Sequence, residues 1–146
     1  MKEMIPRDNM RVGAEAQTWQ DAVRKAGGPL LEAGSITPQY IEEMIHAVID
    51  LGPYMVLMPG FALAHAAPSA AVLKNDISLI TLKSPVNFGS AENDPVRVVL
   101  CICCTDRETH REVLKRAAKM ILKEGMVDAI AAAPDVDALK KLTENY

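Results

Sequence analysis

A chain of 146 residues has the length of a single domain, and 49% hydrophobic with 24% charged residues suits a chain that folds around a core. Its net charge of −3 and the lack of any basic stripe argue against nucleic acid as a partner. No apolar run approaches the roughly 20 residues of a membrane span, and MKEMIPRDNM has no signal-peptide core, so the expectation is one cytoplasmic domain over 1–146 with no direct membrane insertion.

Residues 1–9 read as a loose lead-in and Arg11–Ala14 as a short edge strand. Trp19, Val23, Ala26, Leu30 and Ala33 recur at steps of three and four, which predicts a helix from about Thr18 to Gly34. Pro29 removes an amide donor inside it, but the period stays in phase, so the expectation is one bent helix. Thr37-Pro38 opens a second helix, with the threonine as N-cap. Its apolar stripe is Ile41, Met44, Ile45, Val48 and Ile49, and Gly52-Pro53 stops it. His46 falls off the stripe beside Glu42 and Glu43 and reads as solvated.

The next stretch is GPYMVLMPGFALAHAAP, Gly52 to Pro68. Val56 and Leu57, then Phe61 to Leu63, read as short core-facing strands around a Pro59-Gly60 turn. His65 comes where the second strand leaves the sheet; on these residues alone it is either structural or reactive. Ile77 to Lys83 predicts an inner strand, with Ile77, Leu79 and Thr81 on one face and Ser78, Ile80 and Leu82 on the other. The polar stretch SPVNFGSAENDP reads as a loop, and Val96 to Cys104 as the most buried strand. Cys101, Cys103 and Cys104 within it read as small buried groups, forming neither a disulfide framework nor a Cys-x-x-Cys site.

Helices are predicted over Arg107–Lys123, about Met126–Ala133 and Asp135 to about Thr143. Thr105-Asp106-Arg107-Glu108 fits a capping box with Thr105 as N-cap, which sets a helix N-terminus directly after the buried strand. Ligands of open α/β sheets gather at that end, and helix N-termini attract anions. His110 lies within about the first turn and a half and shares a face with Val113 and Leu114. It is either a core-edge histidine bonded to a carbonyl or a group that meets an anion. His46, His65 and His110 have no metal-ligand spacing. Helices before and after a buried sheet predict three layers, α/β/α.

Gly52–Pro68 resembles the active-site segment of enzyme IIA of the sugar phosphotransferase system, mannitol–fructose type, and ETH ending at His110 resembles that family's second histidine. AEAQTWQDAVRKAG and ENDPVRVVL resemble the ascorbate-type branch. The resemblance implies the mannitol-type enzyme IIA fold, with a mixed central sheet of about five strands, and a phosphotransferase that needs no metal or organic cofactor. It implies that His65 takes a phosphoryl group from a histidine of the carrier HPr and passes it to a cysteine of enzyme IIB. Through enzyme IIB the membrane enzyme IIC would take up and phosphorylate a sugar such as ascorbate. His110 would hold the phosphoryl oxygens or fix the geometry of His65.

Three departures stand out. Ala64 occupies the place of the usual proline, Ile49 that of an arginine on the preceding helix, and Ala67 that of an arginine that some relatives carry. Arg107 and Lys74 are candidates to supply the missing charge. The same departures keep open a phosphorylatable regulatory module of this fold that feeds no transporter, and a homodimer is left open too. The partner surface is expected to be a shallow apolar patch of Met58, Phe61, Ala64, Ala66 and Ala67 around His65.

Overall fold

The apolar run Val96–Cys103 forms the central strand of a five-stranded mixed sheet in the computed structural model, which describes residues 4–146. In chain order the strands are β1 (Met10–Ala14), β2 (Val56–Met58), β3 (Phe61–Ala64), β4 (Asp76–Val86) and β5 (Val96–Cys103). Across the sheet the order is β1-β4-β5-β3-β2. β3 runs parallel to β5 and β1 parallel to β4, whereas β4–β5 and β2–β3 are antiparallel.

Strand residues alternate between two cores, as a period of two requires. Val99, Cys101 and Cys103 face the first core, with α1 (Trp19–Glu32) and α2 (Pro38–Leu51). Val98, Leu100 and Ile102 face the second, with α3 (Arg107–Ile121), α4 (Met126–Ala131) and α5 (Val136–Thr143). β4 divides as its pattern predicts, Ile80 and Leu82 to the first core and Ile77 and Leu79 to the second. Three layers result. Each fully buried large apolar side chain contributes about 1.5–3 kcal/mol to holding them together.

α1 continues through Pro29 and closes with two bonds, Gly34 N–H to the Leu31 carbonyl and Ser35 N–H to the Leu30 carbonyl. That is a Schellman end, and Gly34, with φ of 74°, supplies its left-handed residue. Gly27 lets α2 come close, since a Cβ there would sit 2.9 Å from Ile41. α2 starts with Thr37 and Pro38 in the expected places, although the threonine side chain makes no capping bond.

Several expectations change. Of the lead-in over residues 1–9, residues 1–3 lie outside the described residues. The rest is not loose: Met4 and Ile5 are buried in the second core, and Arg7–Asn9 forms a turn of 3-10 helix. Ile49 and Leu57 are 60% and 52% exposed, not core. Ile49 sits on the shoulder of the α2 stripe, and Leu57 alternates with buried Val56 on an edge strand. β4 runs on through Ser84, Pro85 and Val86, which the sequence assigns to a loop. Pro85 falls in an irregularity of the ladder between Thr81 and Val86, where a missing amide donor is tolerated.

Candidate functional site

Because β3 and β5 are parallel neighbours, the segments that follow them emerge at the same end of the sheet. His65 follows β3, and the loop after β5 leads into α3, which carries His110. The structure brings the two together, with ring centroids 5.6 Å apart and planes inclined at 45°. They share a shallow depression of about 420 Å³ with Tyr54, Ala67, Arg107 and Arg111. His46 is exposed on α2 and is not part of it, nor are Lys74 and Ile49.

The cap of α3 differs from the expected one. Asp106, not Thr105, is the N-cap, and its carboxylate accepts from Thr109 N–H at 2.7 Å. Thr105 instead donates its backbone N–H to the Asn75 side chain. Both residue types cap well, so sequence alone permits a one-residue shift. His110 keeps its place, its own amide bonded to the Asp106 carbonyl in the first turns.

His65 is oriented from two sides. Its Nδ1 lies 2.6 Å from the Leu63 carbonyl oxygen. A carbonyl only accepts, so Nδ1 carries the proton and Nε2 keeps its lone pair. The Tyr54 ring meets the imidazole edge-on at 5.3 Å, and its hydroxyl donates to the His65 carbonyl. Burial holds the His65 pKa below the ordinary 6.5, with the Leu63 bond pulling the other way. His110 is lowered as well, by burial first and then by His65. Its Nδ1 is buried with no hydrogen-bond partner among the described residues. Both rings are therefore neutral at neutral pH. We expect ring NMR titrations of His65 and His110 to show midpoints below 6.5; a midpoint above that value at either ring would contradict this environment.

One residue that builds the site has no sequence signal. Tyr40, on the first turn of α2 and fully buried, accepts from Ala66 N–H at 3.0 Å and donates to the Ile102 carbonyl at 2.8 Å. Its hydroxyl thus ties the residue after His65 to the end of β5. One turn on, Glu43 accepts from Ser69 at 2.6 Å and fastens the same loop again. α2 thus fastens the segment that follows His65 at two points.

The apolar patch keeps Met58 and Phe61 of the expected set and adds residues of β2, β3 and α3. Phe61, Ala64 and Ala66 are buried, while Ala67 is exposed and Met58 partly so. Beside the histidines, and joined to them at Leu114, is an apolar hollow of about 300 Å³ between β2–β3 and α3. Leu57, Met58 and Leu122 form its rim. The cysteines are buried and free. Burial pushes the Cys104 thiol up to about 11, Cys103 to about 12 and Cys101 higher still, so none offers a thiolate at neutral pH. Among the described residues no three histidine, cysteine or acidic groups converge as a metal site, and no helix is long and apolar enough to cross a membrane.

Comparison with known proteins agrees with this geometry. The chain is 41% identical over 105 residues to the ascorbate-specific PTS system EIIA component of Shigella boydii, covering 72% of this chain and 68% of the relative. The solution structure of the mannitol-specific cryptic phosphotransferase enzyme IIA of Escherichia coli superposes with a TM-score of 0.88 at 26% identity, over 98% of this chain and 97% of that one. Enzyme IIA of the E. coli mannitol system, solved in complex with phosphorylated enzyme IIB, gives a TM-score of 0.85 at 26% identity, over 97% and 98% of the two chains. The family model for the phosphoenolpyruvate-dependent sugar phosphotransferase system, EIIA 2, matches residues 3–146. With a mannitol-type enzyme IIA fold and that match over nearly its whole length, the chain belongs to the EIIA 2 family of the sugar phosphotransferase system.

Proposed function

We propose that the chain is a phosphohistidine carrier in which His65 accepts a phosphoryl group from HPr and delivers it to a cysteine of enzyme IIB. The observation that carries this reading is the Nδ1–H bond to the Leu63 carbonyl, which leaves Nε2 as an unprotonated nucleophile facing a depression shared with His110. In the first step the donor's N–P bond breaks, its nitrogen keeps the electron pair, and an Nε2–P bond forms. In the second a thiolate of enzyme IIB attacks phosphorus, and Nε2 leaves with its pair. Neither step moves a proton at Nδ1.

The phosphoryl group brings about −1.5 to −2 charges. His110, as a neutral donor, stabilises oxygens on which charge gathers during transfer. The solved complex of a mannitol enzyme IIA with its phosphorylated enzyme IIB supports a IIB-type partner for this chain. The ascorbate-specific relatives support a system for a sugar such as ascorbate. The apolar hollow with Leu57, Met58 and Leu122 on its rim suits a small, transient interface beside the reacting atoms.

The test is incubation with phosphorylated HPr followed by intact-mass measurement. A gain of one phosphoryl group, lost in acid and mapped to His65, is the expected result. A stable gain on serine or threonine, or none, would overturn the reading.

A further inference from the structure

The arginines divide sharply by environment. Arg7, Arg11, Arg24 and Arg97 pair with carboxylates, and Arg116 donates to the Tyr146 carbonyl. The side chains of the remaining two, Arg107 and Arg111, make no ion pair or hydrogen bond to any described residue. Both line the depression that holds His65 and His110. With His110 and Leu114 they fall at steps of three and four along α3, so one helix face turns all four toward that space. No carboxylate lines it.

That placement costs stability. Cations in the first turns of a helix oppose its dipole, and like charges four residues apart repel. Asp106 and Glu108 in the same turn soften these effects, but neither guanidinium is paired with a carboxylate among the described residues. An anion brought into the depression would reverse both: it meets two planar forks of donors and the favourable end of the dipole together. A phosphoryl group on Nε2 of His65 is such an anion.

We infer that Arg107 and Arg111 are phosphoryl-binding residues, whose guanidinium groups hold the oxygens of the group carried by His65 and supply from α3 the positive charge that position 49 of α2 lacks. The inference rests on the reading of His65 as the phosphoryl acceptor. No bond to arginine forms or breaks. The two forks bind the non-bridging oxygens while the bond to phosphorus changes hands, so they favour both the charged product and the transition state. Arg111, a turn beyond Arg107, has nothing in its sequence position that marks it.

Two measurements on wild type, Arg107→Gln, Arg111→Gln and the double variant test this. In the first, inorganic phosphate is titrated while the ring NMR signals of His65 and His110 are followed. The wild type should shift saturably, and the double variant should bind at least about ten-fold more weakly, because two charge-assisted contacts are lost. In the second, phosphoramidate serves as a small-molecule donor, and the rate of phosphohistidine formation should fall about ten-fold or more per arginine removed. Arg111→Lys should fall between, since it keeps the charge but loses the planar fork. Both sites are exposed, so circular dichroism should show the fold unchanged.

Phosphate binding that is equal in wild type and double variant, or not saturable in wild type, overturns the inference. Normal phosphate binding by the double variant combined with poor transfer from phosphorylated HPr also overturns it, because the arginines would then serve partner docking. If phosphate binding depends on both arginines yet wild type gains nothing from phosphorylated HPr, the carrier reading fails and the anion site stands.

Discussion

His65→Ala is expected to gain no phosphoryl group from either phosphorylated HPr or phosphoramidate, whereas His110→Ala still gains it, at a rate lower by about ten- to hundred-fold. The asymmetry follows from the role proposed for each ring. Nε2 of His65 provides one of the two atoms of the new bond, and no neighbouring group has a lone pair in its place. His110 contributes a hydrogen bond to developing charge. Losing a buried donor of that kind typically costs about 10²–10³, and the partial exposure of His110 places this site at or below the lower end. Replacing His65 deprives the Leu63 carbonyl of its donor, but at a partly buried position near solvent, so the variant should fold. Intact-mass kinetics on the two variants check this. Acceptance retained in His65→Ala and lost in His110→Ala would exchange the two roles.

Tyr40→Phe should destabilise the fold by about 1–3 kcal/mol and also slow phosphorylation of His65. The ring fits as before, but the Ala66 N–H and the Ile102 carbonyl both lose their buried partner. Leaving such groups unsatisfied carries the full cost of their desolvation, which the loss of one exposed hydroxyl does not. Because Ala66 follows His65 directly, the freed segment no longer holds the imidazole in one position, and reaction from a misplaced geometry is slower. A urea midpoint and the phosphoramidate rate, measured together, separate the two effects. A variant as stable as wild type would show that other contacts, such as Ser69 with Glu43, hold the loop by themselves.

Much of this architecture is legible along the chain because its signals are local. The nine-residue apolar run, the Thr37-Pro38 start and the glycine after α1 each declare an element within a few residues. The pairing of His65 with His110 is legible too, once both are placed at the carboxyl ends of strands, and parallel pairing of β3 with β5 completes that step. Tyr40 is different. Its hydroxyl matters through Ala66 and Ile102, far away in sequence, and nothing around Tyr40 marks it as more than another residue of an apolar helix face. Leu57 and Ile49 mislead for the opposite reason: each continues an apolar pattern, but a short edge strand and a helix shoulder leave them in solvent. Thr105 and Asp106 compete on equal chemical terms, and Asn75, from the segment before β4, takes the threonine. Arg111 carries no signal of its own along the chain; its place beside the histidines and its lack of a carboxylate partner emerge only with the surrounding elements in place.

The parallel register of β3 on β5 also bears on when, during folding, the site comes into being. The bond from His65 to Leu63 joins near neighbours and can form as soon as that segment is extended. The approach of His110 cannot, because β4 and the whole loop before β5 intervene, and parallel pairing must close that long excursion first. Contacts of such sequence separation form slowly, after local structure has been sampled. A nascent chain released only as far as β4 therefore displays a histidine without its companion or the α3 guanidinium groups. On the proposed reading of His65, full-rate phosphoryl uptake arrives only with β5 and α3 in place, and its onset then marks completion of the sheet.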